Sequence, residues 1–206
     1  MSDTGYKFSS AQAGDHDELH ELVQGKGTYT SDISMPAQLH ACFVRSPWAH
    51  ARIRAIDTQA ALQSEGVHGV ITAKDVAQAG LGPIMPLVVL KGSDGHNMHC
   101  SGMPILAHEE VRHVGEPVAL VAAETLEQAM NAAELIQIDY EPLACVTDLQ
   151  AAVAPGAALV QPIAPGNVAM DWSLGNTPAL EQAFAQAHHV QEIELADPML
   201  TGAPME

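Results

Sequence analysis

From Leu39 onward the chain alternates short apolar runs of strand character with short stretches of helical spacing. Leu39 to Arg45 is mostly apolar, and Ala51 to Ile56 sets Ile53 and Ile56 against Arg52 and Arg54 with one broken step, which predicts two strands. Asp57 offers an N-cap for a helix over Thr58 to Ser64, and Gly66 stops it. Val67 to Thr72 is short and β-branched, a strand, and Lys74 to Ala79 has room for one helical turn. Gly80, Gly82, Pro83, Pro86, Gly92, Gly95, Gly102 and Pro104 then mark a long connection. A loop of that length in a compact domain is functional or packs on a partner.

Order returns at Val111. Val118 to Ala123 is a continuous apolar strand, and Glu124-Thr125 opens the strongest helix, whose Ala129, Met130 and Ala133 share its apolar spacing. Near Ile136 the helix gives way to a strand that ends at Glu141-Pro142, so Val118 to Tyr140 reads as a βαβ-like unit. Beyond Pro142 the composition shifts to Ala, Pro and Gly, the mark of a connector or of chain wrapped over another domain. A helix over Pro178 to His188 follows, then an alternating strand at Val190, Ile193 and Leu195 that has no later partner in the sequence. At the other end, a polar arm carries an acidic stretch, Asp15 to Glu21, with room for a helical turn or two, and Gly25, Gly27 and Tyr29 to Asp32 read as a turn. The chain thus divides into an arm (1–24), a main domain (25–145) and a connector with the start of a further unit (146–206). The apolar, turn-prone ending Thr201 to Glu206 reads as a cut rather than a domain end.

Composition narrows the class. The 206 residues are 47% hydrophobic but only 4% aromatic, with Ala, Val, Leu and Ile carrying the apolar content, which suits helices packed on sheet in an α+β fold. All eight Lys and Arg residues lie at or before Arg112. Up to there the net charge is −4 and beyond it −13. Such a surface repels nucleic acid and anionic membranes; the acidic last part is read as the solubility of an acidic protein, with contact to a basic partner surface as the alternative. Cys42, Cys100 and Cys145 are odd in number and widely spaced, so neither a disulfide framework nor a zinc finger is supported. With no signal peptide and no spanning run, the chain reads as cytoplasmic.

Candidate chemistry is sparse. His50 could act as a proton donor or ligand, but a lone imidazole without a companion at ligand spacing is expected to bond nearby backbone. Gly115-Glu116-Pro117 supplies a positive-φ turn before a buried strand and lacks the further glycines and following helix of a phosphate cradle. His16 and His20 share a helical face without forming a zincin motif. His96, His99 and Cys100 could take adventitious zinc or copper in a loop, and His188-His189 suit a helix C-terminus. Neither a nucleophile elbow nor a distinct carboxylate pair is present. No catalytic, cofactor-binding or metal residue is assigned to this chain.

Five stretches, in order, resemble one family. They are Gly25-Lys26-Gly27-Thr28-Tyr29-Thr30-Ser31-Asp32-Ile33; Arg45-Ser46-Pro47-Trp48-Ala49-His50-Ala51-Arg52-Ile53; Gly66-Val67 with Thr72-Ala73-Lys74-Asp75; Val111-Arg112-His113-Val114-Gly115-Glu116-Pro117-Val118-Ala119; and Asp139-Tyr140-Glu141-Pro142-Leu143. Together they resemble the large, molybdopterin-binding subunit of the molybdenum hydroxylases, which include xanthine dehydrogenase, aldehyde oxidase and aerobic carbon monoxide dehydrogenase. The resemblance implies an N-terminal α/β-hammerhead domain followed by the opening segment of the molybdopterin-binding domain. Ala203-Pro204-Met205-Glu206 is similar to the start of a family motif that continues with Pro-Arg into the cofactor region. The implied cofactors are molybdenum on a molybdopterin dinucleotide in the complete subunit, and 2Fe-2S clusters and FAD on partner subunits, with none bound by this chain alone. The implied reaction is oxidation of an aldehyde, N-heterocycle or similar small molecule with water as the oxygen source. Two alternatives stay open at this point: a non-catalytic docking module from a split or truncated gene, and a small metal-binding protein using the His16 or His99 region.

Overall fold

The computed structural model describes residues 22–175, 177–193 and 195. The acidic stretch Asp15 to Glu21, the His16 and His20 pair, and the Ala203 to Glu206 ending lie outside the described residues. The chain forms two units: Leu39–Glu192, and a second comprising Met1–Gln38 and Ile193–Glu206. In the described part of the second, Thr30–Asp32 is a single 3-10 turn in which Asp32 accepts the Tyr29 N–H at 3.0 Å.

The main unit is built from six strands in two three-stranded antiparallel sheets, consistent with the expected α+β class. Strands β1 (His40–Arg45), β5 (Pro117–Ala123) and β3 (Val67–Thr72) make the first sheet, with β5 central. Strands β4 (Glu110–Val111), β2 (Ala51–Asp57) and β6 (Gln137–Pro142) make the second, with β2 central. The broken alternation in β2 is a β-bulge: Ile53 pairs with Tyr140 and Ala55 with Asp139, leaving Arg54 as the extra residue. Helix α1 (Gln59–Leu62) is capped one residue later than expected, at Thr58, while the Asp57 carboxylate accepts the Gln59 N–H at 3.0 Å.

Helix α2 (Ala73–Gln78) starts where the Asp75 carboxylate turns back to accept from the Thr72 hydroxyl at 2.7 Å and the Thr72 N–H at 2.8 Å. The hydroxyl, then the N–H, hold the Asp75 carboxyl below its ordinary value of 3.8. Helix α3 (Leu126–Glu134) packs on β1 and β5, burying Ala129 and Ala132. One core joins Ala61, Ala119, Val121, Ala132 and Ile136; the other joins Ala51, Ala107, Val111 and Val118. Ile56 and Ile138 pack against both.

Two expectations are corrected. The strands flanking α3 do not form a βαβ unit: β5 pairs with β1 and β3, whereas β6 pairs with β2 in the other sheet. The local pattern gives strand, helix, strand but carries no information on which sheet each strand joins. No strand forms at Val190, Ile193 and Leu195 among the described residues, where all three side chains are exposed. An alternating pattern needs a neighbouring strand to satisfy its backbone, and no such neighbour exists among the described residues.

The long connection is pinned rather than loose. Ile84 and Met103 exchange both backbone bonds at 2.8 and 2.9 Å, and Leu90 accepts the Met98 N–H at 2.9 Å. The connector after β6 holds it from outside through His99 N–H to Ala169 O (2.8 Å) and Ser101 Oγ to Gln161 Oε1 (2.8 Å). That connector includes α4 (Leu149–Ala152), capped by the Asp148 carboxylate. Asn167 fastens it by donating to the carbonyls of Ala152 and Ala158 and accepting the Val160 N–H. Helix α5 (Thr177–Gln186) buries none of its residues.

Gly66 carries φ +76°, and a Cβ there would lie 2.3–2.5 Å from the Gln128 amide. The same amide closes the cap of α3, its Oε1 accepting the Thr125 N–H and hydroxyl at 3.0 Å each. Gly66→Ala is therefore expected to expel Gln128 from the cap as well as strain the turn. Urea unfolding should show a loss of about 1–3 kcal/mol for Gly66→Ala and about 1 kcal/mol for Thr125→Ala. The double variant should lose less than the sum, because both act through Gln128.

Candidate functional site

Successive strands alternate between the two sheets, and two of the five crossings are short turns on which sequence motifs fall. Ser46 to His50 carries the chain from β1 to β2, and Arg112 to Glu116 carries it from β4 to β5. The turns bond to each other directly: Ser46 N–H donates to Glu116 O at 2.9 Å, Gly115 N–H to Ser46 O at 2.8 Å, and the Arg45 guanidinium to Gly115 O at 2.9 Å. Gly115 takes the expected positive φ, +85°. Buried Ser46 closes its own turn, its hydroxyl accepting the Trp48 N–H at 3.0 Å and lying 3.1 Å from Trp48 O. Buried Glu116 accepts the Arg112 N–H.

On the second sheet a charged row runs across β2, β4 and β6. The Arg52 guanidinium lies 3.7 Å from Glu110 and 3.5 Å from Glu141, Arg54 pairs with Glu141, and Arg112 lies 3.4 Å from Glu110. Every carboxylate in this row faces an arginine.

His50 binds backbone, as expected, but through a contact 94 residues away: its Nδ1 lies 2.7 Å from Ala144 O, its own carbonyl accepts the Leu143 N–H at 3.0 Å, and Nε2 is 3.8 Å from Glu110. The first two contacts fasten the exit from β6 to the start of β2. Tyr140 lies at the same end of β6; burial pushes its phenol above the ordinary 10.0, and the Ser46 hydroxyl offsets part of the rise. The Tyr140 hydroxyl makes no hydrogen bond of normal geometry.

The other histidines are dispersed. His96 and His99 line a cleft of about 220 Å³ between the long loop and residues 165–171, whereas Cys100 lines a different one of about 480 Å³, beside Met85, Met103 and Arg112. Cys100 Sγ accepts the Gly102 N–H at 3.4 Å. His188 and His189 lie beyond the last residue of α5 and are exposed. Among the described residues no group of three His, Cys, Asp or Glu side chains is placed to hold a metal ion, and no helix is long and apolar enough to cross a membrane. The smaller cleft sets Asp94 and Asp171 beside His96 and His99, and the larger one sets Glu116 beside Arg112 and His113.

Residues 24–144 match the family described as aldehyde oxidase and xanthine dehydrogenase, a/b hammerhead domain. The large subunit of nicotine 6-hydroxylase from Paenarthrobacter nicotinovorans is 38% identical over 187 residues, covering 90% of this chain and 22% of the relative. Quinoline 2-oxidoreductase from Pseudomonas putida 86 superposes with a TM-score of 0.63 at 36% identity, over 69% of this chain and 17% of that one. Reconstituted CO dehydrogenase from Oligotropha carboxidovorans gives 0.66 at 32%, over 84% and 22%. The chain spans about a fifth of the length of such relatives.

Two predictions follow from this geometry. His50→Ala should leave the fold intact but speed amide hydrogen exchange of Leu143 to Val146 by on the order of tenfold, because the Ala144 contact is lost. For Tyr140, the unfolded phenol ionises near 10.0 while the folded one keeps its proton to higher pH, so stability falls as pH rises past 10.0. Urea midpoints of the wild type and Tyr140→Phe should keep a constant gap below pH 10 and shift in favour of the variant above it.

Proposed function

The chain belongs to the aldehyde oxidase and xanthine dehydrogenase family, and from that premise we propose that it is the N-terminal portion of a molybdenum hydroxylase large subunit. The observation that carries this reading is the family match over residues 24–144, taken with alignment of 90% of the chain to only 22% of a relative. Residues 25–145 are read as the hammerhead domain, and 146–206 as the connector and start of the molybdopterin-binding domain.

The complete enzyme is proposed to act in the cytoplasm on an aldehyde, an N-heterocycle or a similar small molecule. A C–H bond is replaced by C–OH with oxygen from water, and two electrons and two protons are released. The molybdenum–pterin group, held by the rest of the subunit, supplies the two-electron acceptor, and 2Fe-2S and FAD subunits carry the electrons away. Within this chain no residue is assigned to catalysis or to cofactor binding. Its paired charges and pinned turns support a scaffold that holds neighbouring domains in place and helps wall off water from the reaction.

The native polypeptide from the source cell tests the reading. A large subunit containing this sequence is expected to hold molybdenum and pterin by elemental and fluorescence analysis, and to place ¹⁸O from labelled water in its product. The 206-residue chain alone should hold neither group and show no turnover. A native polypeptide that ends near residue 206 and co-purifies with no molybdenum subunit would refute the proposal.

A further inference from the structure

Residues 76–90 contain no charged side chain, although the chain has 33 charged residues in 206. Leu81, Ile84, Met85 and every residue of the run Leu87–Leu90 are at least half exposed, and Leu87 is wholly so. Seven large aliphatic residues exposed within one ten-residue stretch are the kind of apolar surface that marks an interaction site. The backbone beneath is fixed by the Ile84–Met103 pairing and the Leu90–Met98 bond, so the surface is presented in one shape. Beside it lies the cleft of about 480 Å³, lined by Ile84, Met85 and Met103 together with Arg112, His113 and Glu116.

We propose that this ledge, Leu81 to Leu90, is the docking surface for the remaining, cofactor-carrying part of the same large subunit, with the adjoining cleft receiving an apolar side chain from it. The inference rests on the family reading above. Three observations choose this occupant. Roughly four fifths of such a subunit lies outside the part that this chain aligns to, so a partner of sufficient size is implied. The ledge is aliphatic and uncharged, the character of a permanent interface rather than of a transient electron-transfer encounter. A covalently continuous partner also meets it at high effective concentration, without the entropy loss of bringing two molecules together.

The test compares the intact molybdenum-loaded subunit with the 206-residue chain by hydrogen exchange, alongside Leu87→Asp in both. Residues 81–90 are expected to exchange at least tenfold more slowly in the intact subunit. Because Leu87 is fully exposed, Leu87→Asp should leave the circular dichroism of the short chain unchanged while lowering the yield of assembled, molybdenum-containing subunit at least tenfold. Equal exchange of 81–90 in both forms, with molybdenum present, would overturn the docking surface and leave the family reading standing. Concentration-dependent protection of 81–90 in the short chain, with a dimer on size exclusion, would assign the ledge to a second copy and overturn the proposal. A native polypeptide without molybdenum would remove both readings together.

Discussion

The main unit depends on a single strand that has to be buried while offering almost no bulk. Strand β5 pairs on both edges, with β1 and β3, and its side chains feed both cores: Ala119 and Val121 meet the helices, while Val118 meets the second sheet. Its neighbours can approach closely because the buried residues are small. Nine of the fourteen buried apolar residues among those described are alanine, and the largest fully buried side chains are valines. Small side chains allow close contact of helix α3 with the sheet but remove little area from water, and stabilisation from burial scales with that area. The larger aliphatic and aromatic side chains are mostly exposed, so the unit keeps much of its hydrophobic surface available to something else.

The second constraint is the paired crossing between the sheets. Two packed sheets can slide unless something fixes their register, and the two short turns among the five crossings are hydrogen-bonded to each other at Ser46, Gly115 and Glu116. Those bonds join segments about 70 residues apart. Proline at 47 and glycine at 115 set the backbone angles, Ser46 and Glu116 satisfy buried N–H groups, and Arg45 reaches across to Gly115 O. This accounts physically for what the motifs at 45–53 and 111–119 do in the fold: they bond one crossing to the other.

What the sequence made legible follows the range of the interactions. Strands β1, β3 and β5 and helix α3 rest on local spacing and caps, and each lies within a residue or two of its expected place. Even the broken alternation at Arg54 corresponds to a real bulge. Strand β4 was missed because two residues carry no period, and the βαβ reading failed because periodicity does not say which sheet receives a strand. At the site, the backbone role of His50 was readable from its lack of companions, but its partner, Ala144, and its neighbour Glu110 were not. Both arrive through the pairing of β2 with β4 and β6. The hammerhead identity came from motif order, a signal that local physics does not supply.

Charge and apolar surface are distributed to different parts of this chain. Arg52, Arg54 and Arg112 are taken up by Glu110 and Glu141 on one sheet, at exposures where each pair contributes little to stability. Their effect is to hold those five side chains against one another across the sheet. The long loop does the opposite with apolar groups, keeping them in water at a cost in free energy. The paired charges and the exposed aliphatic run thus lie on different elements of the same fold.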